Sequence, residues 1–540
     1  MENDHSWWRD GVIYQIYPRS FRDTNGDGIG DLRGIIEKLP YLSDLGIRGI
    51  WLSPINTSPM FDFGYDVSDY RGIDPIFGTV EDFQEFVSEA HKRNINVIMD
   101  MVLNHTSHLH PWFIESSSSR TNPKRDWYVW HDGKNGRPPN NWLGVFGGKA
   151  WEWDARTESF YLHSFAVQQP DLNWFNPDVR NAALGEVSYW LDMGIDGFRF
   201  DVINWFGHDR EFRSNPFGIG TTPRPYDLQE HLYDRNLPVS HEIAGELRNL
   251  LDSYDDRMMV CEVSSERPGD PELSASYVGP QQSHLSFDFS LLYQKWNPKA
   301  YFSALVTWND VMTRYDGWPC YVLSNHDQPR SRSRFGSNSY EKAKVAAVMH
   351  MTLRGTPFLY YGEEIGMENR KIKRSQLADP PGIRYWPLRQ GRDPARTPMQ
   401  WNATPEAGFT EGTPWLPVHQ NYQTTNVEAQ QEDKHSLLNL YRKLIALRNS
   451  SPVLQRGDWV PVHDGSDGVI SYYRSLGTER KLIVLNFRQK PVSVDPPAPW
   501  RGVASNMTVE LSTHKKPGDA PGNDSLNLDP LEATIFNCGN

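Results

Sequence analysis

Eight short apolar runs separated by helix-like segments constrain this chain more than any other feature. They are Gly11-Val-Ile-Tyr-Gln-Ile-Tyr-Pro18, Gly49-Ile-Trp-Leu-Ser53, Asn96-Val-Ile-Met-Asp100, Gly197-Phe-Arg-Phe-Asp201, Met258-Met-Val-Cys-Glu262, His284-Leu-Ser-Phe-Asp288, Cys320-Tyr-Val-Leu-Ser324 and Pro357-Phe-Leu-Tyr-Tyr361. Runs that are nearly continuous in apolar character, with amphipathic segments such as Leu32 to Leu45, Val80 to Arg93 and Pro177 to Met193 between them, describe parallel strands covered on both faces. No glycine-rich phosphate loop follows the first strand, so the pattern favours a closed (β/α)8 TIM barrel over a doubly wound sheet. The alternation breaks from Asn104 to Asn173, a Trp-, Pro- and Gly-rich stretch too long for a plain loop. It also ends after a last amphipathic segment, Lys434 to Arg448, where short β-like runs begin at Gly457. The expected organisation is a catalytic barrel over 1–103 and 174–456, an inserted subdomain over 104–173, and a C-terminal antiparallel β-sandwich domain over 457–540.

In such a barrel the C-terminal ends of the strands converge, so the residues that end each run are candidates for chemistry. Here they are polar: Asp100 with Asn104 and His105, Arg199 with Asp201, then Glu262, then Asn325, His326 and Asp327. Any one of them reads equally well as a cap or a structural ion pair. Carboxylates at equivalent ends of several strands repel one another, and such a set lowers stability unless function requires it. Along the fourth run, side chains alternate, which places Arg199 and Asp201 on one face and Phe198, Phe200 and Val202 on the packing face.

Composition narrows the partners. The 540 residues carry a formal charge of -13, which disfavours nucleic acid and anionic membranes, and the 20 Trp, 24 Tyr and 24 Phe offer flat faces that suit sugar rings as well as core packing. Met1 to His5 is acidic and has neither the basic nor the apolar region of a leader, and no apolar run is long enough to span a bilayer. The three cysteines, Cys261, Cys320 and Cys538, lack metal spacing and read as free thiols in a reducing compartment, so a cytoplasmic location is expected.

Asp100-Met-Val-Leu-Asn-His105, Gly197-Phe-Arg-Phe-Asp201, Glu262 after its apolar run and Asn325-His-Asp327 together resemble the four signature regions of the alpha-amylase family of glycoside hydrolases. Gln169-Pro-Asp-Leu-Asn-Trp174, the Gly64 to Tyr70 segment, His326 to Arg330 and the Gly391 to Trp401 segment resemble its oligo-1,6-glucosidase and alpha-glucosidase branch. The resemblance implies Asp201 as nucleophile, Glu262 as general acid and base, and Asp327 as third carboxylate, with Arg199 keeping Asp201 ionised. It further implies Asp62, Tyr65, His105, Phe165, Gln169, His326 and Arg392 around the non-reducing glucose. Asp62 and Arg392 would close the end of the pocket, Arg396 being the competing choice for Arg392. Tyr65 and Phe165 read as evenly as core aromatics.

The activity so implied is that of an exo-acting, retaining alpha-glucosidase releasing glucose from maltose, isomaltose and other short alpha-glucosides, with sucrose a further candidate. Valine at 202 goes with alpha-1,6 preference in that branch, although a β-branched residue ending a strand explains it equally. Alternatives are a glucosyl-transferring relative, such as a sucrose isomerase or trehalose synthase, and a non-catalytic transporter-associated relative. The former tends to carry an Arg/Asp-rich motif where Arg332-Ser-Arg-Phe-Gly336 stands; the latter has an N-terminal membrane helix and lacks these acids. Finally, Asp23, Asn25, Asp27, Ile29 and Asp31 put oxygen ligands at alternate positions of a calcium-type loop, where the branch carries a structural Ca2+. Gly34 occupies the place of an EF-hand's closing glutamate, which excludes a true EF-hand.

Overall fold

The computed structural model describes residues 6–219, 224–265, 270–337, 339–494, 507–519 and 525–538. Met1 to His5, read above for a leader, lie outside them. The eight runs form β1 (Ile13–Ile16), β2 (Gly49–Leu52), β3 (Asn96–Met101), β4 (Gly197–Phe200), β5 (Met258–Cys261), β6 (Leu285–Ser286), β7 (Cys320–Val322) and β8 (Thr356–Tyr360). They make one parallel sheet in the order β6-β5-β4-β3-β2-β1-β8-β7, and a parallel bridge between Asp288 and Tyr321 joins its two edges into a barrel.

Strand alternation divides each stave between two cores. Ile13, Trp51, Ile98, Met258, Val260, Leu285, Cys320, Val322 and Phe358 fill the inside of the barrel. Tyr14, Ile50, Val97, Met99, Phe198, Phe200, Met259 and Cys261 pack outward under the helices. Continuing the inward parity towards the C-terminal ends reaches Gln15, Asp100, Arg199, Asp201 and Glu262. The barrel is therefore plugged with apolar side chains below and polar at its mouth.

Local sequence fixes the helices that brace this arrangement. Asp31 caps α1 (Leu32–Leu45) by accepting from the Gly34 amide, Thr79 and Asp82 form a reciprocal capping box on α2 (Val80–His91), and Pro177 starts α3 (Pro177–Asp192) behind the Asn176 cap. The last barrel helix, α4 (Leu437–Ser450), begins three residues later than the expected Lys434 because Ser436, accepting from the Asn439 amide, is its cap. Between β3 and α3 the chain forms a small three-stranded sheet from Trp130–His131, Trp151–Asp154 and Ser159–Leu162. After α4, β9 (Asp458–Asp464), β10 (Val469–Leu476), β11 (Glu479–Asn486), β12 (Thr508–Ser512) and β13 (Ala533–Asn537) form an antiparallel sheet in the order β9-β10-β11-β13-β12. A two-stranded layer, Val492–Val494 with Leu526–Leu528, packs Val494, Leu526 and Leu528 against Val469, Leu482 and Val484 of that sheet. Arg474 ties this domain to the barrel by donating to the carbonyls of Thr352 and Leu454.

Candidate active site

Three strand ends bring Asp201, Glu262 and Asp327 onto one cavity of about 520 Å3 at the barrel mouth. The Asp201 amide donates to the Met101 carbonyl at 3.1 Å, continuing the β3 ladder, and the Glu262 amide donates to the Phe200 carbonyl at 3.0 Å. Asp327 sits in a turn whose amide donates to Asn325 Oδ1 at 2.9 Å. Backbone pairing, more than side-chain packing, sets where the carboxylates stand.

Arg199 lies beneath them, 2% exposed. Its Nη1 donates to Asp201 Oδ1 at 2.6 Å and to Asp100 Oδ1 at 2.7 Å, and its Nη2 donates to Glu262. One guanidinium is thus shared by three acids, and each receives less than a full partner. Glu262 and Asp201 are also hydrogen bonded to each other. Burial, reinforced by the charges of Asp201 and Asp327 and only partly offset by Arg199, pushes the Glu262 carboxyl up to about 8. Burial and the neighbouring Asp100 raise Asp201 as well, but Arg199 and the Glu262 hydrogen bond hold it to about 6. Desolvation would raise Asp327 too; His326 and the guanidiniums of Arg392, Arg396 and Arg199 outweigh it and hold that carboxyl well below the usual range. Near neutrality Glu262 carries a proton while Asp201 and Asp327 are ionised, a division of roles suited to acid-assisted displacement.

An ion-pair cluster forms part of the cavity wall. Arg392 donates to Asp62 Oδ1 at 2.5 Å and to Asp379 Oδ1 at 2.6 Å, and reaches Asp327 Oδ1 at 3.4 Å. The loop that presents Asp62 is pinned by Asp66, which accepts from the amides of Phe61 at 3.0 Å and Asp62 at 2.9 Å and from Ser58 Oγ at 3.0 Å. Arg396, the competing choice, is fully buried behind the wall, donating to the His326 carbonyl at 2.7 Å and to Asp327 Oδ1 at 2.8 Å.

Of the other predicted residues, Tyr65, His105 and Phe165 line the cavity. His105, its ring 5.2 Å from Phe165, has Nε2 within 3.0 Å of the Tyr65 carbonyl, to which it can only donate, and 3.0 Å of Gln169 Nε2, and burial lowers its pKa to about 4. Gln169, Arg199 and His326 stand behind the wall, at 0%, 2% and 1% exposure, and orient the groups in front of them.

Val202 departs from the reading of its strand. β4 ends at Phe200, and Val202 adopts φ 37, ψ 48, so it leaves the packing face of Phe198 and Phe200 and joins the cavity wall beside Trp205 and Tyr226. The period-two inference fails because the strand stops before the residue to which it was applied.

The Asp23 to Asp31 loop, where Ca2+ is expected, is laced by its own hydrogen bonds. Asp23 Oδ1 accepts the amides of Asn25 and Gly26, and Oδ2 accepts the Gly28 amide and the Thr410 hydroxyl. Asp31 accepts the amides of Thr24 and Gly34 and the Thr24 hydroxyl. These donors occupy lone pairs of Asp23 and Asp31 that a cation would share, whereas Asp27 accepts, among the described residues, only the Ile29 amide at 2.8 Å and the Asn25 side-chain amide at 3.1 Å. Among the described residues no group of three or more His, Cys, Asp or Glu side chains is arranged to hold a metal.

Sequence reasoning missed Asp379, Gln15 and Phe146. Asp379 precedes Pro380 and reads as a helix cap, yet its carboxylate anchors the Arg392 amide at 2.7 Å and Nε at 2.9 Å. Phe146, in a glycine-rich segment of the insert, lies 5.2 Å from the Arg392 guanidinium carbon and lines the cavity. Inward strand parity could have revealed Gln15; nothing local distinguishes Phe146.

The model of the family described as "Alpha amylase, catalytic domain" matches residues 15–457. A probable alpha-glucosidase of Rhizobium meliloti (strain 1021) is 43% identical over 511 residues, covering 92% of each chain. The oligo-1,6-glucosidase of Parageobacillus thermoglucosidasius is 42% identical over 521 residues, covering 90% of this chain and 91% of its own. Among solved structures, the alpha-glucosyl transfer enzyme XgtA superposes with a TM-score of 0.92 at 40% identity, over 99% of this chain and 100% of its own. The signature regions resembled a family of sugar-cleaving barrels, and the match across the barrel and these relatives makes this chain a member of the alpha-amylase family of glycoside hydrolases.

Proposed function

We propose that the protein is an exo-acting, retaining alpha-glucosidase that removes glucose from the non-reducing end of short alpha-glucosides. The observation that carries this reading is a cavity on which Asp201, Glu262 and Asp327 meet beside the Asp62–Arg392 ion pair, with Asp201 held to about 6 and Glu262 pushed up to about 8. Asp201 attacks the anomeric carbon while Glu262 gives its proton to the departing oxygen, forming a glucosyl ester; Glu262, now a base, takes a proton from water as water releases glucose. Asp327, with its charge held by Arg392 and Arg396, accepts hydrogen bonds from the sugar hydroxyls. The Asp62–Arg392 ion pair then bounds the site of the non-reducing glucose, and Tyr65, His105 and Phe165 line it. Proton NMR of the first turnovers on 4-nitrophenyl alpha-glucoside tests this: alpha-glucose must appear before mutarotation, and beta-glucose first would refute it. Initial rates on maltose, isomaltose and sucrose then fix linkage, for which the resemblance to the oligo-1,6-glucosidase branch, through Val202, favours isomaltose.

Glucosyl transfer is the second reading, favoured by the likeness to a glucosyl transfer enzyme. Hydrolysis ranks above it because Arg332 and Arg334, in the segment where isomerases carry an Arg/Asp-rich motif, turn away from the cavity to the carbonyls of Gly366 and of Leu291, Gln294 and Leu323. The buried free thiols of Cys261, Cys320 and Cys538 support the cytoplasm as its place of action.

A further inference from the structure

Gln15, on β1 and 2% exposed, is not among the cavity-lining residues, yet it holds the rear of the site. Its Nε2 lies 2.8 Å from His326 Nδ1 and 3.3 Å from Ser53 Oγ. On the other side of the imidazole, Nε2 lies 2.6 Å from Tyr65 Oη and 3.3 Å from Asp327 Oδ2. The Tyr65 hydroxyl donates to Asp100 Oδ2 at 3.1 Å, an oxygen that also accepts from Trp51 Nε1 at 3.2 Å. At the contact between Tyr65 and His326 the imidazole must therefore donate. Asp327, a second acceptor on the same side, demands the same.

The ring cannot satisfy its remaining nitrogen with a second proton. The His326 ring is enclosed by Tyr17, Trp51 and Tyr65, and Arg396 donates to its own carbonyl; the charges nearest it are Asp327, Arg396, Arg199 and Arg392. Burial and the three arginines outweigh Asp327 and lower its pKa to about 3, so it is neutral. A neutral imidazole with Nε2–H presents a lone pair at Nδ1 and needs a donor there.

We propose that Gln15 is a positioning residue that locks His326 in its neutral Nε2–H form by donating its amide to Nδ1, which keeps the ring's single proton on the Tyr65 and Asp327 side. The proposal rests on the preceding reading only in taking that side as the glucose-binding one. Gln15 thereby fixes three groups in series: the imidazole, the Tyr65 hydroxyl that receives from it, and the Asp100 carboxylate that shares Arg199 with the reacting acids.

The test is long-range 1H–15N NMR on histidine-labelled full-length protein, with the His326 signals assigned by difference against His326→Asn. The wild type should show the neutral Nε2–H pattern. In Gln15→Glu, a carboxylate at the same place accepts from Nδ1 and should convert His326 to an imidazolium; kcat/KM on 4-nitrophenyl alpha-glucoside should fall about 10–100-fold, the scale on which a partner orienting a metal-bound histidine acts. Its pH profile should gain an ionisation as that imidazolium loses its proton. Gln15→Met, which fills the site without a charge, keeps the test open if the glutamate variant fails to fold, and should lose the single-tautomer pattern. An Nδ1–H wild type, or a methionine variant whose His326 signals match the wild type, would overturn the proposal. These spectra are read whether or not glucose is released, so failure of the glucosidase reading is seen separately, in the hydrolysis assay.

Discussion

Replacing Glu262 by Gln removes one proton and almost no volume, and its consequences can be worked through from the site. With Glu262 at about 8 and Asp201 at about 6, the productive form, protonated Glu262 with ionised Asp201, is most populated near pH 7. The wild-type kcat/KM should follow a bell whose limbs are the apparent values of the coupled pair. In Glu262→Gln the alkaline limb should vanish. The acid limb should stay near about 6, because at that pH Glu262 is already neutral and a neutral amide leaves the field at Asp201 unchanged. On maltose, whose leaving oxygen needs the proton, the loss should be about 10²- to 10⁴-fold, or about 2.7–5.4 kcal/mol of transition-state stabilisation. A dinitrophenyl alpha-glucoside leaves without protonation, so stopped flow should show a burst of one phenolate per enzyme followed by slow turnover, since the same residue must activate water. Azide needs no base, and should restore turnover with alpha-glucosyl azide as product. An alkaline limb that survives, or equal losses on both substrates without a burst, would show that Glu262 is not the acid.

The same group has a stability signature with the opposite bearing. Its folded pKa of about 8 lies above the ordinary 4.5, so the stability it confers is complete below about 4.5 and is lost as pH rises through about 8; Glu262→Gln should gain in Tm over the wild type towards alkaline pH, and a Tm difference flat with pH by calorimetry would contradict the raised value. Arg392→Ala strands the buried acids Asp62 and Asp379 and should cost about 3–5 kcal/mol in denaturant unfolding, whereas Asp62→Asn with Arg392→Met should recover part of that without recovering glucose release. Asp201→Ala should abolish release from 4-nitrophenyl alpha-glucoside while leaving the fold intact by circular dichroism; residual wild-type turnover would remove Asp201 from its role. EDTA and added Ca2+ decide the calcium loop: a cation at 100 times its Kd adds about 2.7 kcal/mol, so EDTA should lower Tm and Ca2+ restore it, and a Tm that neither moves by calorimetry would remove Ca2+ from the loop.

What could be read in the sequence were the quantities that chain periodicity controls. Eight apolar runs with helices between them leave a barrel as the economical way to cover both faces, and all eight are strands of one closed sheet. An acid at a strand end is a weaker sign than it looks, because Asp288 also ends such a run and its carboxylate only caps a turn, accepting the Ser290 amide at 2.7 Å and hydroxyl at 2.8 Å. Asp100, Asp201 and Glu262 differ from Asp288 in sharing Arg199, and that sharing depends on the circular order of strands, which no local window contains. Val202 was misplaced for a related reason: periodicity describes a strand's interior and says nothing of the residue at which the ladder lets go. Asp379 and Gln15 lie on segments with ordinary local roles, a cap and a barrel stave, and acquire their meaning from Arg392 and His326, which approach them from 13 and 311 positions away. The calcium loop poses the opposite question. Alternating carboxylates and amides suit a cation, yet the glycines beside them free enough backbone N–H groups to fill the same oxygens, and ligand spacing alone cannot tell a metal from a set of amides.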